Sequence, residues 1–126
     1  MQHDITTRAA AVFVCHSSLD LEVACYHLQV QYHLPNFRFD EHDSWQYARS
    51  VGQQIGFNLT KTERADTIAH WMNGVPENVN YQIILFLAQT DTSDAEATSG
   101  ARATVEEVDT FLRGLFTTNV LRVGHQ

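Results

Sequence analysis

The chain carries two segments with the order strand, helix, strand, one near each end. The first occupies residues 11–39 and opens with the apolar run 11–15. The second occupies residues 81–123 and opens with the apolar run 81–87. Each segment can lay one helix across a sheet, so the pair predicts a single domain over residues 1–126, built as two layers around one core.

The polarity of the remaining strand candidates distinguishes between fold classes. Segments 37–40 and 57–60 alternate apolar with polar residues, so each has one wet face. A doubly wound parallel sheet needs apolar residues on both faces of most strands. We therefore predict an α+β fold, a two-layer mixed β-sheet with helices packed mainly on one face, with both Phe rings of segment 37–40 turned inward. A doubly wound α/β fold is the alternative. In either fold, the two apolar strands should lie side by side in the middle of the sheet.

Three further segments are predicted from local patterns. Residues 44–55 fit a helix or a strand, and their Gln, Ala and Arg content favours the helix. Capping-box patterns, in which Glu follows Thr by three residues, predict helices beginning near Thr60 and near Thr104. Apolar residues at helical spacing predict one apolar stripe on each of these helices and on the first helix. The stripes are Leu21, Ala24, Cys25, Leu28 and Tyr32; Ala65, Ile68, Ala69 and Met72; and Val105, Val108, Leu112, Leu115 and Phe116. Residues 89–103 are polar and offer little to bury, so they predict a long loop that is mobile, functional or partly helical.

The charge balance narrows the range of partners. Fifteen acidic residues against eight basic ones give a net charge of −7, and Lys61 is the only lysine. A nucleic-acid surface needs clustered Lys and Arg, so we predict no nucleic-acid partner. An acidic surface either serves solubility alone or steers a basic protein partner.

The two cysteines indicate a reducing compartment. Cys15 lies in an apolar strand and Cys25 on the apolar side of a predicted helix, without CxxC or zinc-finger spacing. We interpret both as reduced core residues of a cytoplasmic protein. No segment has the features of a signal peptide or approaches the ~20 apolar residues that span a bilayer, so no membrane partner is predicted. No metal and no cofactor are predicted either.

The best site hypothesis rests on the carboxyl ends of the first two strands. If these strands are parallel neighbours, their ends share one edge of the sheet. Histidines, serines and acids would then meet beside the first helix N-terminus and form a small-molecule or hydrolytic site. The alternative is that they are only a helix cap and a solvated turn. No catalytic role can be assigned to any of them. The residues are His16, Ser17, Ser18, Asp40, Glu41, His42 and Asp43.

Three aromatic residues form a second candidate site. Trp45, Tyr47 and Trp71 are of the types that anchor protein interfaces. The alternative is that they complete the edge of the core or cover a sheet face. Together with the acidic charge, and without a convincing catalytic set, they favour a binding module over an enzyme. We expect its partner to be another protein or a second copy of the chain, since two-fold homodimers are the commonest assembly.

One phrase of the sequence is similar to a known family. Residues 12–18, Val-Phe-Val-Cys-His-Ser-Ser, with Asp20 and Glu22, resemble the opening strand and loop of TIR domains. Phe39-Asp40-Glu41 resembles the end of the second strand in that family. That resemblance implies an NAD-cleaving or signalling domain. Segment 57–60 is more polar than the third strand of that family, and no residue matches a motif for its catalytic glutamate.

The size, the charge and the lack of a catalytic signature support a second and looser resemblance. In these respects the chain is similar to the small acidic proteins encoded on bacterial mobile integron gene cassettes. It is also similar to immunity proteins, which bind and block a toxin. The resemblance to immunity proteins implies a small binding protein.

Overall fold

A computed structural model describes residues 7–64, 67–72, 74–76, 78–88 and 95–123. Their backbone forms a six-stranded sheet and three helices. In chain order the elements are β1 (Thr7–Cys15), α1 (Leu21–Tyr32), β2 (Arg38–His42), β3 (Trp45–Val51), β4 (Ile55–Thr62), α2 (Thr67–Trp71), β5 (Tyr81–Ala88), α3 (Ala95–Phe116) and β6 (Leu121–Val123).

The sheet has the strand order β2-β3-β4-β5-β1-β6, and every pairing among the described residues is antiparallel. The α+β class is therefore confirmed, and the doubly wound alternative is excluded. The prediction of a mixed sheet was wrong, because no parallel pair occurs among the described strands. Strands β2, β3 and β4 follow one another through short turns, and a short turn can join only antiparallel neighbours.

The two most apolar strands are neighbours, as predicted. Strand β1 pairs with β5 along its length, with Phe13 opposite Ile83 and Ala11 opposite Leu85. All four of these side chains are buried. Inner positions of a sheet bury both strand faces more completely than edge positions do, which is why these runs show little alternation.

Helices α1 and α3 cover one face of the sheet and enclose the main core. The predicted helical stripes are confirmed, because the apolar positions of both helices point into this core. Helix α1 ends where His33 adopts a left-handed conformation (φ 54°), just before Pro35. The buried stripe residues are Leu21, Ala24, Cys25 and Leu28 on α1 and Val105, Val108, Leu112 and Phe116 on α3.

The opposite face of the sheet is covered at one corner by the short helix α2. Ile68 of α2 packs with Val14 and Val79, and Trp45 and Met72 border this smaller cluster. The helices therefore lie mainly on one face, as predicted. In the part of the chain that the structure describes, no helix is long and apolar enough to cross a bilayer.

The helix favoured for residues 44–55 was a wrong prediction, because residues 45–51 form strand β3. Here tertiary pairing overrides helix propensity. Ala48 is buried between Phe39 of β2 and Leu59 of β4. Phe39 also differs from expectation, since 52% of it is exposed on the edge strand.

Neither capping box begins a helix. Thr104 lies inside α3, which starts at Ala95, and its hydroxyl donates to the Gly100 carbonyl at 3.0 Å. The segment 89–103 is therefore partly helical, and residues 89–94 lie outside the described part. Thr60 lies inside β4, whose pairing with β3 and β5 competes with a helical start.

Candidate functional site

The site predicted at the carboxyl ends of β1 and β2, called the rim below, does not assemble. The two strands run in the same direction, but β3, β4 and β5 lie between them. Four inter-strand spacings of about 4.8 Å separate their ends by roughly 19 Å. His16 on one side and Asp40 to Asp43 on the other therefore cannot act on one small substrate. The expectation failed because β2 returns to the sheet as an edge strand and not as a neighbour of β1.

Ser17 and its neighbours form a loop that is fixed by Asn80. The Asn80 side chain accepts a hydrogen bond from the Ser17 N–H at 2.9 Å and donates one to the Ser17 carbonyl at 2.8 Å. The buried Ser17 hydroxyl accepts from the Leu19 N–H at 3.1 Å. Ser17 is therefore engaged in holding the loop, whereas His16 and Ser18 are exposed beside a depression of about 530 Å³.

Lys61 also holds this loop. Its ammonium group donates to the Leu19 carbonyl at 2.9 Å, and the hydroxyl of the buried Tyr81 donates to the same carbonyl. The Lys61 nitrogen lies 5.4 Å from the centre of the Tyr81 ring, within the range of a cation–π contact. The only lysine of the chain thus fixes the start of α1.

Asp40 and Glu41 lie in an acidic depression and not beside His16. This depression of about 550 Å³ lies between β2 and the first turn of α1, which contributes Asp20 and Glu22. The exposed ring of Phe39 forms part of its wall. Among the described residues, no group of three or more His, Cys, Asp or Glu side chains is arranged to hold a metal ion.

His42 is the last residue of β2, and Asp43 begins the β2–β3 hairpin turn with a positive φ of 55°. The His42 imidazole nitrogen Nε2 lies 3.6 Å from a carboxylate oxygen of Asp43, and both side chains are exposed. An exposed pair of this kind contributes little to stability. The alternative of a solvated turn is therefore correct only for Asp43. Asp40, Glu41 and His42 are exposed as well, but they belong to strand β2.

The three predicted aromatic residues do converge. Trp45 and Tyr47 are two residues apart on β3, so both project from the sheet face opposite α1 and α3. Helix α2 ends over this face and brings Trp71 to the same place. The result is an aromatic groove of about 330 Å³, lined by Trp45, Tyr47, Thr60, Ile68, Trp71, Met72 and Gln82.

The walls of the aromatic groove differ in exposure. The rings of Trp45 and Tyr47 stack with an angle of 13° and a centroid distance of 6.3 Å, and both residues are half-buried. Trp71 is 76% exposed. Met72 is held beside it, since its sulfur accepts a hydrogen bond from the Gln82 side chain at 3.0 Å. One wall of the groove is therefore the packed pair Trp45 and Tyr47, and the other is the solvent-exposed ring of Trp71.

Sequence reasoning missed four lining residues: Thr60, Ile68, Met72 and Gln82. The spacing of Ile68 and Met72 predicted a core stripe, which is correct for Ile68, but the same stripe also borders the groove. Thr60 and Gln82 are cross-strand partners on β4 and β5. Only the pairing of the strands could place them under the aromatic rings.

Comparisons with protein-family models, curated proteins and solved structures find no match. The resemblances to TIR domains and to small cassette-encoded or immunity proteins therefore remain as the sequence alone gives them.

Proposed function

We propose that this protein is a binding module that takes an apolar or aromatic anchor side chain of a basic partner protein into its aromatic groove. The observation that carries this proposal is the convergence of Trp45, Tyr47 and Trp71, three residues from two elements, on one concave surface. The proposal places the protein in the cytoplasm, with support from two buried free cysteines.

The chemistry of the groove suits an anchor side chain. Trp and Tyr supply large contact areas at low cost in conformational entropy, and they dominate the energetics of many interfaces. A Met side chain adapts its shape to what it contacts. A Trp that is 76% exposed leaves much apolar surface in water, and a partner covering it would remove that surface. Thr60 and Gln82 supply the few polar groups that fix orientation.

The charge of the chain favours a basic partner. The net charge of −7 attracts a cationic protein during diffusional encounter. Asp40 is on the edge strand, where it borders the acidic depression, but it lies directly opposite Tyr47 in the β2–β3 ladder, so its side chain projects on the same sheet face as the groove. The nearby Arg49 is already engaged, because its guanidinium lies 5.1 Å above the centre of the Phe86 ring. A basic segment beside the anchor would therefore meet a carboxylate at this edge.

The proposal is tested by selecting binders to the wild-type chain from a random peptide library displayed on phage, and then measuring the affinity of the enriched peptides for Trp71→Ala. Trp71 is exposed, so the variant should fold normally. Enriched peptides should carry an aromatic or large aliphatic residue flanked by Lys or Arg. Their affinity for Trp71→Ala should fall at least about tenfold, the range of an interface anchor residue.

The matched control is Phe39→Ala, which also removes an exposed aromatic ring but on the other side of the sheet. Selected peptides should bind this variant as tightly as they bind the wild-type chain. Equal binding to wild type and Trp71→Ala, enrichment of acidic sequences, or a selection that enriches nothing would each reject the proposal.

A further inference from the structure

Helix α1 carries a second apolar stripe on the side that faces away from the core. Val23, Tyr26 and Val30 occupy positions i, i+3 and i+7, which lie on one helix face. They are 40%, 64% and 58% exposed, respectively. The core stripe of the same helix is buried against the sheet, so α1 is apolar on two faces. A helix that is apolar on two faces is typical of one that is covered on both.

We propose that a second copy of this chain covers this outer stripe, and that the two α1 helices pack antiparallel around a two-fold axis. The axis passes between Tyr26 and His27, the centre of the stripe. Val23 of one copy then lies opposite Val30 of the other, and the two Tyr26 rings meet at the centre. A two-fold interface requires such self-complementarity, because the same patch is used twice.

The polar residues at the two ends of α1 select the antiparallel arrangement. The first end carries the exposed carboxylates of Asp20 and Glu22. The other end carries the exposed side chains of Gln31 and His33, which can donate hydrogen bonds. Antiparallel packing places the carboxylates of one copy against the donors of the other. Parallel packing would place carboxylates against carboxylates, which repel each other.

The extent of α1 predicts a weak dimer. Twelve residues make a helix about 18 Å long, so a helix pair alone buries less surface than a standard stable interface. The two copies should therefore associate reversibly at micromolar to millimolar concentration. This interface is independent of the aromatic groove, since α1 and the groove lie on opposite faces of the sheet. Either proposal can fail without the other.

Analytical ultracentrifugation of the whole chain across this concentration range tests the association. The wild-type chain should shift from monomer to dimer. Val30→Glu should weaken dimerisation at least about tenfold, because it buries a charge and places it near the acids of the other copy. Asn78→Glu adds the same charge at an exposed position away from α1, and its dimerisation should match the wild type. Far-UV circular dichroism shows whether each variant is folded.

Cross-linking tests the antiparallel register. A Val23→Cys variant and a Val30→Cys variant are mixed and treated with a short thiol-specific cross-linker, while the native thiols of Cys15 and Cys25 are buried. The mixture should give more cross-linked dimer than either variant alone. Equal yields in all three samples would overturn the register. A chain that stays monomeric at millimolar concentration, or a dimer that Val30→Glu leaves intact, would overturn the interface itself.

Discussion

The two buried thiols should make this protein lose stability steeply in alkaline solution. Burial raises the pKa of Cys15 to about 12, from an ordinary value of 9.0. Burial, together with the nearby Glu22 carboxylate, raises the pKa of Cys25 to about 12. Both thiols are 1% exposed in the folded chain. The folded state therefore keeps protons that the unfolded chain releases above about pH 9.

The size of the effect follows from linkage. A raised pKa in the folded state means that the stabilisation is complete below about pH 9 and is lost as pH rises toward 12. Each thiol lowers the free energy of unfolding by about 1.4 kcal/mol per pH unit in this interval, so the two together lower it by about 2.7. Burial also raises the pKa values of Tyr32 and Tyr81, which steepens the loss above pH 10.

Urea unfolding, followed by circular dichroism in the presence of a reducing agent, measures this slope between about pH 9 and pH 11. The double variant Cys15→Ala with Cys25→Ala should lose the thiol contribution of about 2.7 kcal/mol per pH unit and keep the tyrosine contribution. Val108→Ala is the matched control, because it opens a cavity in the same core without removing a titrating group. Equal slopes in the wild type and the double variant would refute the reasoning.

Three further predictions concern individual contacts. Tyr81→Phe and Lys61→Met each remove one donor from the carbonyl before α1, and each should cost about 1 kcal/mol. The double variant leaves that carbonyl unpaired and should cost more than the sum; additivity in urea unfolding would contradict this. Gly56→Ala would bring a methyl carbon to 2.8 Å from the Val51 Cα, so we expect a loss of about 1–3 kcal/mol. The added carbon of Gly114→Ala meets no described atom within 4 Å beyond the neighbouring backbone of its own helix. This variant should therefore gain about 0.5–1 kcal/mol, the opposite sign in the same urea unfolding experiment.

The candidate site was predictable in its residue types and not in its grouping. Trp45, Tyr47 and Trp71 stood out from the sequence because large aromatic rings are typical interface residues. The rim residues stood out equally, and the structure separates them. What distinguishes the two sets is strand order. Strands β3, β4 and β5 lie between β1 and β2, so His16 is far from Asp40. Helix α2 packs against the face of the sheet that carries Trp45, so Trp71 lies beside Trp45.

The sequence by itself determined the α+β class, the adjacency of the two apolar strands and the inward stripes of α1 and α3. These features depend on which residues are buried, and the spacing of apolar residues along the sequence indicates burial directly. Only the tertiary structure decided the strand character of residues 45–51, the antiparallel order of the sheet and the formation of the aromatic groove. These depend on which segments pair across the chain, and the hydrogen bonds of a strand ladder are long-range contacts that local propensity does not encode.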